Sequence, residues 1–169
     1  MKIGIDARWI FAQISGIGTY TQELIRGLTQ VDLENEYVLF FNDRARAEKV
    51  AKYARLDLAP NFSTRFVPYG VFSLFSQLGL PGIIRKLGLD LFHSPNYMIP
   101  FAAFPRRRTG GARCVVTIHD LIPLLFPQFT PRAMKTRLFP VYKRLMAEVG
   151  ARADSILTVS ESSRLDVIE

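Results

Sequence analysis

The sequence predicts an open α/β fold, a parallel sheet with helices on both faces. Three observations carry that expectation. Short apolar runs alternate along the chain with stretches of helical periodicity, the pattern of parallel strands joined by crossover helices. The run Cys114 to Asp120, Cys-Val-Val-Thr-Ile-His-Asp, is apolar or β-branched at its start and uncharged until Asp120, as a strand buried on both faces requires. The chain's two histidines, His93 and His119, each follow such a run. Open parallel sheets bind ligands in the crevice beyond the strand C-termini. A titratable ring at a strand tip is therefore well placed for chemistry and poorly placed for core packing.

Taken in order, Lys2 to Asp6 is a short apolar strand. A loop through Ser15-Gly16-Ile17-Gly18-Thr19 feeds a helix in which Ile17, Tyr20, Leu24, Leu28 and Val31 recur at steps of three and four. Glu36 to Asn42 is the second strand, Arg44 to Arg55 a polar helix, and Ser63 to Tyr69 the third strand. Phe72 to Leu87 is apolar, and Pro81 inside it predicts two short helices. Leu89 to Phe92 runs into His93-Ser94-Pro95 as the fourth strand and its tip, and Asn96 to Gly111 is loop, rich in Pro, Gly and Arg. Cys114 to His119 is the fifth strand, and Leu121 to Phe129 is an ordered apolar loop. Thr130-Pro131 opens a helix that runs to about Gly150 with a kink at Pro140. Asp154 to Val159 is the sixth strand, and Ser160 caps a last helix with Glu161 in its first turn. That helix has scarcely begun at Glu169, so the reading expects a fragment of a longer protein.

Composition narrows the function. A chain of 169 residues, 49% hydrophobic, is one globular domain with a sizeable core. The one cysteine, Cys114, allows no disulfide within the chain and no cysteine metal site, which fits a reducing, cytoplasmic setting. Lys2, Asp6 and Arg8 break the N-terminus, so no signal peptide is read there. The longest uncharged run, Phe66 to Ile84, holds Pro68, Gly70, Pro81 and Gly82 and is rejected as a membrane span. Between Ala103 and Arg152, ten Lys or Arg face only Asp120 and Glu148, a local charge of +8 in a chain of net charge +7. Such a segment points to an anionic partner.

Several motifs are excluded. Gly16-Ile17-Gly18 is not a dinucleotide fingerprint, because Thr21 stands where its third glycine belongs and nine residues separate Asp6 from Gly16. No P-loop and no nucleophile elbow is present. Asp120 adjoins His119 and is poorly placed to orient that ring in a triad. What remains at Gly16 and Gly18 is a glycine loop feeding a helix N-terminus, where free N–H groups favour an anion such as a diphosphate. Glycine needed only for the turn explains them equally well.

The helix from Thr130 gathers Met134, Leu138, Val141, Leu145 and Val149 on one side, with Arg132, Arg137, Lys143 and Arg144 on the other. A sheet-covering helix with a solvated basic face accounts for it better than membrane docking does. Phe101 and Phe104 beside Arg106, Arg107 and Arg108 suit an anionic lipid surface or a phosphorylated acceptor. Nucleic acid is not expected, since the patch lacks interleaved aromatics and a binding motif.

Five stretches together resemble the N-terminal half of family 4 glycosyltransferases: Lys2-Ile3-Gly4-Ile5-Asp6-Ala7-Arg8; Ser15-Gly16-Ile17-Gly18-Thr19-Tyr20-Thr21-Gln22-Glu23-Leu24; His93-Ser94-Pro95; Thr117-Ile118-His119-Asp120-Leu121-Ile122-Pro123; and Leu157-Thr158-Val159-Ser160-Glu161-Ser162-Ser163. The resemblance is nearest to the mannosyltransferase-like branch that builds bacterial surface polysaccharide. It implies a GT-B fold of two Rossmann-like domains, of which residues 1–169 would be the acceptor-side, N-terminal one. It also implies retaining transfer of a sugar from a nucleotide diphosphate donor to a glycan or lipid-linked acceptor, with no metal or other cofactor. The C-terminal domain, with most of the nucleotide site and the family's E-x7-E, would lie outside this chain, so the chain alone is expected to fold without turning over. Glu161 and Glu169 match that spacing by coincidence, being about 80° apart around a helix.

By the same resemblance, His119 lies against the donor sugar, and Gly16, Gly18 and Asp120 lie at the donor diphosphate and sugar. Arg8, His93, Arg106, Arg107 and Arg108 are assigned to the acceptor side. Ser15 stands where the family often has glycine. The expected protein is cytoplasmic, with peripheral contact at the inner face of the membrane through its basic segment. The rival expectation is a non-catalytic Rossmann-like binding or regulatory module. A further βα pattern of roughly 150–200 residues beyond Glu169 would separate the two.

Overall fold

The computed structural model describes residues 1–13, 15–107, 110–126, 128 and 139–168. Six strands form one parallel sheet: β1 (Lys2–Ile5), β2 (Glu36–Phe41), β3 (Phe62–Phe66), β4 (Leu91–Ser94), β5 (Arg113–Ile118) and β6 (Ser155–Thr158). Their order across the sheet is β3-β2-β1-β4-β5-β6. This is the doubly wound, Rossmann-like order, and the direction of winding reverses between β1 and β4. The tips of those two strands, with β5 beside them, therefore frame the crevice.

The period of two along each strand sorts the core into two layers. On one face Ile5, Tyr37, Leu39 and Phe41 pack with Ile25 of α1 (Gly16–Val31) and with Val50 and Ala54 at the end of α2 (Arg44–Tyr53). On the other, Val38, Phe40, Phe92, Cys114, Val116 and Ile118 pack with Leu80 and Ile84 of α3 (Leu74–Leu87). Met146 and Val149 of α5 (Phe139–Gly150) complete that layer. Gly4 shows how close the second layer packs: a Cβ there would lie 2.5 Å from Leu89 Cδ1 and 2.9 Å from Phe40 Cε2. Two further helices, the single turn α4 (Ile122–Leu125) and α6 (Glu161–Ile168), follow β5 and β6.

β3 ends at Phe66 rather than Tyr69, and the expected loop Leu121 to Phe129 holds the helical turn α4. The elements depart from expectation in three further places. Phe72 to Leu87 does not split at Pro81; α3 runs through it, held by buried Ser76, Leu80 and Ile84 on either side of the proline. In α5 the inward stripe is Tyr142, Met146 and Val149, while Val141 is 62% exposed. Two overlapping apolar stripes ran through that segment, and the sheet took the one containing the long, adaptable Met146. Phe104 is not on a loop surface but fully buried in the core, and Phe101 packs beside it. The expected helix start at Thr130-Pro131, the kink before Pro140, and Arg132, Met134, Arg137 and Leu138 all lie outside the described residues.

Candidate functional site

The chemistry gathers where β4, β5 and the first turns of α1 meet. His119 follows the last residue of β5, Ile118, and is half-buried. Its Nε2 lies 2.9 Å from the carbonyl oxygen of Pro95, just past the tip of β4. A carbonyl only accepts, so Nε2 carries a proton, and the tautomer this contact selects has Nδ1 as its acceptor. No described residue hydrogen-bonds that Nδ1. The Tyr20 ring of α1 meets the imidazole edge to face, with centroids 5.0 Å apart. Behind the ring, the Ser163 hydroxyl donates to the His119 carbonyl at 2.9 Å. Ser163 in turn donates its N–H at 3.1 Å to the hydroxyl of Ser160, ahead of α6.

His93 is close by but differently used. It lies within β4 rather than beyond it, 7% exposed, and its Nε2 sits 2.8 Å from Thr117 Oγ1. The Tyr20 hydroxyl lies 3.1 Å from the same Oγ1. The three side chains make a polar line through the layer between α1 and the sheet. Burial holds His93 down at about 4, so the ring is neutral at physiological pH. His93 is thus placed to brace the strand tips from behind.

The N-terminus of α1 forms the facing side. Ser15 is its cap: the hydroxyl accepts from Gly18 N at 3.3 Å and the carbonyl from Thr19 N at 2.9 Å. The Gly16 and Ile17 amides keep no partner among the described residues. Neither Gly16 nor Gly18 adopts a positive φ. A Cβ at Gly16 would meet nothing within 4 Å, and one at Gly18 only ordinary contacts from 3.6 Å. The turn therefore does not require these glycines, and Gly16 leaves bare backbone over the positive end of a 16-residue helix.

Arg8 is committed internally. It is 2% exposed and pairs bidentately with Asp6, itself 1% exposed, through Nε–Oδ1 and Nη2–Oδ2 at 2.7 Å each. Its Nη1 donates to Tyr69 O at 3.0 Å and to Ser76 Oγ at 2.9 Å. Arg8 thus ties the loop after β1 to the start of α3. Asp120 is exposed and accepts from Ile122 N at 3.1 Å, opening α4. Burial, then Tyr97, then the Asp120 charge push Tyr142 up to about 12.

The arginines stand apart from this crevice. Arg106 Nη2 lies 2.7 Å from Glu148, which Arg152 also holds at 3.0 Å. Those two partners, Arg106 first, hold the Glu148 carboxyl below its ordinary range. Arg152 also donates to the carbonyls of Phe101 and Phe104 and lies over the Phe101 ring. Arg107 is exposed, and Arg108 lies outside the described residues, as does Glu169. The structure so brings together His119, Gly16, Gly18 and Asp120 around one end of the sheet, with His93 behind them. It leaves Arg8 buried beneath and Arg106 on a separate ion-pair cluster.

Tyr20 and Thr117 were not singled out from the sequence. Tyr20 counted there as one apolar stripe residue and Thr117 as one β-branched strand residue. The signal available was that both carry a hydroxyl at a position read as buried. Among the described residues no group of three or more His, Cys, Asp or Glu could hold a metal ion.

The domain is a doubly wound, Rossmann-like α/β fold with polar groups collected at its switch point. The family model of Glycosyltransferase Family 4 matches residues 14–169, and the chain belongs to that family. Glycosyl transfer is accordingly its general chemistry. Comparison with curated proteins finds no match.

Proposed function

We propose that this chain is the acceptor-side half of a GT-B glycosyltransferase. It would move a sugar, with retention, from a nucleotide diphosphate donor to a glycan or lipid-linked acceptor, and work without a metal. Its motifs resemble the mannosyltransferase-like branch of the family. The observation that carries the reading is the His119 ring. Pro95 fixes its tautomer from behind, so Nδ1 is free to accept from a sugar hydroxyl. As a diphosphate leaves, positive charge grows on the sugar ring and negative charge on the leaving oxygens. A pre-positioned imidazole at the sugar and two open amides at the diphosphate suit that charge separation, with little reorganisation needed. The second Rossmann-like domain would supply the nucleotide pocket.

Gly16→Glu tests this. A glutamate at the first helical position has room, and favours the helix dipole by about 0.3–1 kcal/mol. It should leave the melting temperature unchanged or slightly higher. It should also weaken binding of a nucleoside diphosphate about tenfold or more in the full-length protein, by placing a carboxylate where the phosphates sit. Calorimetric titration with uridine and guanosine diphosphates reads this directly. Unchanged affinity would remove α1 from the donor site.

A further inference from the structure

The apolar face of α3 points away from the core. Phe72 just before it, and Leu74, Phe75 and Leu78 within it, are 60, 80, 68 and 78% exposed. Large apolar side chains exposed in a contiguous group mark an interaction surface. Their burial pattern shows that this is the true outer face: Ser76, Leu80 and Ile84 turn inward, while Leu74, Phe75, Leu78, Gly82, Arg85 and Lys86 turn out. At 100° per residue, those six outer positions fall within about 120° of arc. The face is therefore apolar in its first two turns and basic in its last. Residues 67–89 contain no Asp or Glu.

We propose that this face of α3 docks the protein on an anionic lipid bilayer. The side chains project from a helix surface, the shape that inserts among acyl chains and headgroups. Arg85 and Lys86 supply the attraction to anionic headgroups. A second copy meeting the same face with its helix parallel would set Arg85 and Lys86 against their like, which disfavours that pairing. The surface is also rigidly tied to the site. Arg8 binds both Tyr69 O and Ser76 Oγ, and the Phe72 ring lies 5.5 Å from Trp9, which lies 6.0 Å from Tyr97. Docking would therefore hold the crevice of β1 and β4 close to the lipid surface. Resting on the transferase reading, this names the acceptor as one carried by the membrane. It also moves the membrane contact from the arginine loop, whose Phe104 is buried, to α3.

The test is co-sedimentation of the full-length protein, with no donor present, using phosphatidylcholine vesicles with and without phosphatidylglycerol. Wild type should bind the anionic vesicles and weaken with salt. Phe75→Ser with Leu78→Ser should lower partitioning about tenfold or more, with an unchanged melting temperature, since both side chains are exposed. Arg85→Gln with Lys86→Gln should lower it about fivefold per charge and remove most of the salt dependence. Arg106→Gln with Arg107→Gln should leave it within about twofold. Three results would overturn the proposal: wild type that ignores anionic vesicles, serine variants that bind like wild type, or a dimer that the serine variants abolish while vesicles go unbound. Donor turnover on a detergent-solubilised acceptor, measured separately, keeps the two readings apart. Turnover without vesicle binding sinks only the docking face; vesicle binding without turnover sinks only the transferase.

Discussion

His93 makes the stability of this domain depend on pH in a window set by its burial. The ring is 7% exposed and held down at about 4, against 6.5 for an ordinary histidine. Between those values the unfolded chain binds a proton that the folded chain refuses. Stability is therefore fully present above about pH 6.5, falls as the pH drops towards 4, and falls no further from this cause below that. The gap of 2.5, at about 1.36 kcal/mol per pH unit, corresponds to about 3 kcal/mol. The perturbation is His93→Gln, which cannot titrate. Urea unfolding of both proteins at steps from pH 7.5 to 4 should show wild type losing about 3 kcal/mol more than the variant. Carboxylates held below their ordinary range, such as Glu148, lose stability in both proteins and cancel in the comparison. Parallel curves would mean that His93 accepts a proton in the folded state, and so is not sealed behind Thr117.

Two further outcomes follow from the same geometry. Arg8→Met strands the Asp6 carboxylate in a site 1% exposed and should cost about 3–5 kcal/mol in urea unfolding, with part recovered in Asp6→Asn/Arg8→Met; a cost near zero would mean that Arg8 does not hold the loop. Tyr20→Phe keeps the ring against His119 and loses only the hydroxyl at Thr117, so stability should fall by about 1 kcal/mol while kcat stays within a few-fold; a large fall in kcat would assign the hydroxyl itself to the reaction.

The sheet was largely legible because β2 and β5 are near-continuous apolar or β-branched runs and the shorter strands follow turn signals; β3, with Ser63 and Arg65 inside it, is the weakest such run. The place of His119 at the tip of β5 was legible for the same reason: a largely buried strand ends just before it. What escaped depended on partners far along the chain. Which face His93 would take follows from the β4–β5 pairing, which sets Leu91 beside Arg113 and brings Thr117 within reach of the ring. Arg8 looked like a charge near a ligand site, and only the arrival of Asp6, Tyr69 and Ser76 around it showed how it is buried. The stripe of α5 was ambiguous by one position, and periodicity alone could not choose between Val141 and Tyr142. Pro81 announced a break that neighbouring buried contacts overrode. The apolar run of α3 did not show in sequence which side chains would face outward, as Leu74, Phe75 and Leu78 do.

The central claim is that His119 Nδ1, fixed through the Pro95 carbonyl, meets the transferred sugar. The most direct measurement is kcat of the full-length enzyme carrying His119→Ala, at saturating donor and acceptor, beside a thermal melt. A kcat lower by about 10²-fold or more with the melting temperature held within a few degrees is the predicted result, the scale of losing one well-placed group. A kcat within a few-fold of wild type with a sharply lower melting temperature would make His119 a structural tie between β5 and β4, and would contradict the account.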